Sequence, residues 1–126
     1  MSQRDQYHAV ADATFREALA RRIPLVTTNL VVAEVHRGLL FHAGIQAAAH
    51  VLDRIEAAPL VSIEFATPAH HVAARRWLAR FGDQRFTYTD AVSFAVMEAV
   101  RCTAAVSFDN DFEIAGFSLW RSRGSE

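Results

Sequence analysis

The chain contains no lysine; all 13 of its basic residues are arginine. Set against 14 acids they leave a formal net charge of −1, which excludes a basic coat over the whole surface. Any contact with nucleic acid must therefore be local. A single cysteine, Cys102, excludes an internal disulfide and points to a reducing compartment. No apolar run is long enough for a membrane span. The polar start, Met1 to Gln6, is unlike a signal peptide, so the expected location is the cytoplasm. No linker, low-complexity tract or charge block divides the 126 residues, which are enough for one domain and too few for two cores.

What is present is a large apolar fraction, 52%, with 21% charged residues. That balance excludes disorder as the main state. The three prolines, Pro24, Pro59 and Pro68, stand where elements begin. Residues 23–28 and 58–63 are short, β-branched runs opening on proline, as a strand's first residue allows. Residues 103–108 make a third such run, and 117–120, after Gly116, a weaker fourth.

Between the strands the apolar period is helical. Tyr7, Ala11, Phe15, Ala18 and Leu19 share one face of a first helix. Leu30 to Leu40 forms a second, with Asn29 as its cap and Gly38 near its end. Ile45, Ala48, Ala49, Leu52 and Ile55 trace a third. Thr67 caps a fourth with Pro68 at its first position, and Ala73, Ala74, Trp77, Leu78 and Phe81 form its inner face up to Gly82. Thr89 is placed to cap Asp90 to Val100, which is apolar nearly all round and belongs at the centre of the fold. Strands alternating with helices predict an α/β domain with a mostly parallel sheet.

Open parallel sheets bind ligands beyond the carboxyl ends of their strands. Three acids are expected near that end. Glu34 lies in the second turn after the first strand, Asp90 at the start of the central helix, and Asp109 just after the third strand, with Asp111 following. Carboxylates brought together repel, and desolvation adds to the cost, so such a group needs a cation. Oxygen donors without cysteine favour Mg²⁺ or Mn²⁺ over Zn²⁺. A centre of that kind suits phosphodiester hydrolysis. Taken singly, each acid has a plainer reading: Glu34 as a solvated helix residue, Asp90 as a dipole-favoured carboxylate, Asp109 to Asp111 as a turn.

The segments Thr27 to Val35, Tyr88 to Met97 and Val106 to Phe112, with Gly116 and Phe117 behind, resemble PIN domains, most of all the VapC-type toxins of bacterial toxin–antitoxin pairs. The likeness runs from about Asp5 to Trp120. It implies a three-layer α/β sandwich over residues 1–126, with a frayed tail at 121–126. It further implies a metal-dependent endoribonuclease acting on single-stranded RNA and leaving a 5′-phosphate. In the family pattern Glu34, Asp90 and Asp109 correspond to the second, third and fourth acids, with Asp111 as an occasional ligand. Asn29, Thr89 and Ser107 correspond to supporting polar positions. Implied partners are a small antitoxin and a second copy of the chain. The family's first acid ends an apolar strand that this sequence does not show. Asp5, at a helix start, is a poor stand-in, which raises the alternative of a catalytically impaired binding or oligomerisation module.

Other groups point elsewhere. Adjacent His70 and His71 project in different directions along a helix and cannot chelate zinc as an i, i+4 pair does. Arg37 and Arg85, with Arg75, Arg76 and Arg80, are candidates for pairing RNA phosphates; the plainer reading is a solvated face. Trp77 and Phe81 have the spacing of core residues.

Overall fold

The structure, a computed structural model, describes residues 16–18, 20–105 and 111–119. The expected opening helix on Tyr7, Ala11 and Phe15, and Asp5 at its start, lie outside the described residues. Residues 16–18 and 20 are helical, and Ala18 is buried.

The order that follows is β1 (Leu25–Thr28), α1 (Asn29–Ala43), α2 (Ile45–Ala57), β2 (Val61–Glu64), α3 (Pro68–Arg80), α4 (Tyr88–Ala99), β3 (Ala104–Ala105), α5 (Asp111–Ile114) and β4 (Ser118–Leu119). Strands β1 and β2 pair in parallel, Leu25 opposite Val61 through Thr28 opposite Glu64. Strands β3 and β4 also pair in parallel. Among the described residues the four strands thus form two parallel pairs. A parallel pair needs a long crossover, and the α1–α2 hairpin supplies the first one. The α/β class with parallel strands is the one expected.

Several boundaries differ from the expected ones. Thr28, not Asn29, caps α1: its Oγ1 accepts the Val31 N–H at 3.2 Å. Threonine serves there because the chain leaves β1 still extended, with ψ near 160°, as a cap requires. The helix also passes through Gly38 and ends at Gly44, whose φ of 98° suits a residue without Cβ. One interior glycine costs only about 1 kcal/mol relative to alanine, and Leu39 and Leu40 beyond it are half-buried. The cap of α4 is Thr87 rather than Thr89, which lies inside the helix.

The core centres on α4, which buries Ala91 to Met97 without a break. Phe94 is fully buried at its middle. Its ring stands 5.3 Å from Trp77, 5.1 Å from Phe86, 5.1 Å from Phe112 and 5.8 Å from Phe117, centroid to centroid. Such edge-to-face and offset contacts add to simple area burial. Helix α3 lays Ala74 and Trp77 on this cluster, and β1 adds Val26. Trp77 and Phe81 are core residues, as their spacing indicates. No helix among the described residues is long and apolar enough to cross a membrane.

Candidate active site

The carboxyl ends of β1 and β2 lie side by side, because the strands are parallel and Thr28 faces Glu64. The Asn29 side chain locks this end: its Oδ1 accepts the Ala66 N–H at 2.8 Å. Freed of the capping role, Asn29 therefore ties the start of α1 to the turn after β2, 37 residues away.

Glu34 follows on α1 as an exposed side chain. Helical spacing puts it on one face with Arg37, Gly38 and Phe41, three, four and seven residues on. Those four and His42 line a shallow groove. The Arg37 guanidinium lies over the Phe41 ring, 5.0 Å from its centroid.

Asp90 is half-buried at the start of α4. Its Oδ2 accepts the Thr87 N–H at 3.1 Å, while Thr87 Oγ1 accepts the Asp90 N–H at 3.0 Å. This reciprocal capping fixes the carboxylate and engages one of its oxygens. Asp90 thus acts as a side-chain cap at the helix start, through Oδ2. Asp111 is half-buried at the first position of α5. Asp109 and Ser107 lie outside the described residues. Among the described residues, no three His, Cys, Asp or Glu side chains gather to hold a metal ion. Carboxylate oxygens are the donor type that a hard cation takes.

The arginines divide. Arg80, itself exposed, packs its guanidinium 5.7 Å from the Trp77 ring and 5.2 Å from the Phe81 ring. Arg75, Arg76 and Arg85 are exposed. His70 completes the cap of α3, its Nδ1 accepting the Thr67 N–H at 3.1 Å. His71 Nδ1 is 2.9 Å from the Tyr88 hydroxyl, joining α3 to the first turn of α4.

Three features here escaped sequence reasoning. Glu64, half-buried, ends β2 opposite Thr28; an acid closing a β-branched run was its only signal. Phe65 and Phe41 are 67% and 74% exposed. Phe41 reads as one more apolar residue in a rich helix, and only its position on the outward face distinguishes it.

A domain of parallel strands and helical crossovers, with acids at the start of helices, agrees with the class that the sequence match defines. Residues 7–118 match the PIN domain family, and the chain belongs to that family. Over 105 residues it is 33% identical to the 23S rRNA-specific endonuclease VapC20 of Mycobacterium tuberculosis, in two strains, covering 82% of this chain and 79% of the relative. The crystal structure of M. tuberculosis VapC20, a toxin that cleaves the sarcin–ricin loop, aligns with a TM-score of 0.77 and 31% identity. That alignment covers 87% of this chain and 85% of the other.

Proposed function

We propose that the chain is an endoribonuclease toxin that hydrolyses phosphodiesters in an unpaired loop of RNA, with the sarcin–ricin loop of 23S rRNA as its substrate. The observation that carries this reading is the 33% identity, over 105 residues, to an rRNA-specific endonuclease. Supporting it are the acids after β1 and at the start of α4, which stand at the positions the PIN resemblance assigns to ligands.

In this reading Glu34, Asp90 and Asp109 hold Mg²⁺ or Mn²⁺, and Asp111 assists. Held there, such an ion would supply positive charge beside the scissile phosphate and favour deprotonation of the attacking water. The chain's own residues supply the rest. Thr87 holds the Asp90 carboxylate in place through its N–H. Asn29 keeps the start of α1 fixed relative to the turn after β2, and Thr89 and Ser107 take the further polar positions of the family pattern. Arg37 and Arg85 pair with phosphates on either side of the cut, since guanidinium groups suit bidentate contact with phosphate oxygens. A small antitoxin and a second copy of the chain are the protein partners, and the cytoplasm, where the ribosomes are, is the compartment.

The test is cleavage of an RNA hairpin carrying the sarcin–ricin sequence by the purified chain with Mn²⁺. Asp90→Asn is the comparison, because asparagine keeps the oxygen that accepts the Thr87 N–H while removing the charge. Wild-type cleavage at one loop bond, reduced at least 100-fold in the variant and abolished by EDTA, is the expected result. Equal inactivity of both proteins, each folded, contradicts the enzyme and favours the alternative of a binding module.

A further inference from the structure

The face of α1 that carries Glu34 has a second property that metal chemistry does not use. Phe41 stands on it 74% exposed, two turns beyond Glu34, which is about 10 Å along the helix axis. Gly38 lies between them with open space where a Cβ would project, so no side chain divides the groove. Arg37 covers one side of the Phe41 ring at 5.0 Å. The neighbours along the groove, Glu34, Arg37 and His42, are all polar or ionisable. The ring is therefore an exposed aromatic surface on a largely polar face of α1, backed by a cation.

An unstacked nucleobase fits that description. It is apolar on its faces, polar at its edges, and joined to an anionic phosphate. Proteins that bind unpaired RNA stack bases on aromatic rings and on guanidinium planes. We infer that Phe41 and Arg37 form a base-stacking subsite, which takes one flipped-out base of the RNA a nucleotide or two from the bond cut beside Glu34. This rests on the nuclease reading for its substrate. It adds the element that reads an unpaired loop and ignores a duplex, whose bases are already stacked.

The experiment separates the two readings by measuring binding without cleavage. The same hairpin, with 2-aminopurine placed in turn at each loop position, is titrated with protein in EDTA. One position is expected to show fluorescence quenching on binding. Phe41→Leu, which keeps an apolar side chain but removes the ring, should abolish that quenching and weaken affinity about tenfold. Phe41→Trp should retain both within about twofold, and Arg37→Gln should weaken affinity with the quenching reduced. Thermal unfolding of each variant serves as the folding control, and an exposed site should leave it unchanged.

Wild-type affinity and quenching in Phe41→Leu overturn the subsite, even where the wild-type chain cuts the RNA. Ring-dependent quenching by a chain that never cuts supports the subsite and counts against the nuclease. Exposed Ile45 begins the next helix close by, so self-association is followed by light scattering on the same samples. Loss of a dimer in Phe41→Leu with unchanged RNA affinity makes the face a protein interface and overturns the proposal.

Discussion

Helices α4 and α1 are both rich in apolar residues, and a reading by composition would treat them alike. The structure uses them in opposite ways. Helix α4 buries seven consecutive residues, Ala91 to Met97, and holds the aromatic cluster. Helix α1 is longer, at 15 residues, and buries none of them. It leans on the core through Leu30 and turns Glu34, Arg37, Phe41 and His42 outward. One helix forms the centre of the core; the other turns polar and aromatic side chains to solvent. What separates them is the neighbourhood. Among the described residues both helices touch β1, but α4 packs along α3 and also reaches α5, whereas α1 packs along α2.

Substitutions at the two helices should therefore part stability from activity. The largest structural effect is expected at Phe94, where replacing the ring by alanine removes contacts to four other rings. Phe94→Ala should cost about 3–5 kcal/mol, read as a shift in the urea midpoint. A cost under about 1 kcal/mol would mean that the cluster is loosely packed and would erase the contrast. Phe41→Leu should leave the urea midpoint within about 0.5 kcal/mol of wild type, while changing RNA binding as set out above. Between these extremes lies Asn29, the polar tie between the start of α1 and the turn after β2. Asn29→Ala should cost about 1 kcal/mol, the usual net value of one hydrogen bond, and loosen the position of Glu34. A lowered cleavage rate, alongside a small stability loss, would show that the tie matters to the site as well as to the fold.

Much of this was legible in the sequence, and the exceptions have common causes. The apolar period located the helices because burial on one side imposes it, and proline and threonine marked their starts. Strand β1 was readable for the same reason: Pro24 opens it and its β-branched residues continue it. The caps were misplaced by one or two residues at Asn29 and Thr89, because Thr28 and Thr87 offer the same chemistry next door. The choice depends on where the backbone leaves the extended conformation. Gly38 looked like a helix end, yet the packing of Leu39 and Leu40 carries the helix past it. The role of Asp90 was half visible: acid after threonine signals a capped helix, but the sequence alone does not say that Thr87 fixes the carboxylate. The outward position of Phe41 had only one signal, its helical spacing from Glu34 and Arg37, since exposure also depends on which neighbours the fold supplies.

In the proposed mechanism Glu34, Asp90 and Asp109 act together on one divalent ion. The most direct measurement is Mn²⁺ binding by calorimetry, without RNA, in the wild-type chain and in Glu34→Gln, Asp90→Asn and Asp109→Asn. The account predicts one binding event in the wild-type protein and a loss of at least tenfold in affinity in each variant. Wild-type Mn²⁺ affinity in all three variants would contradict it.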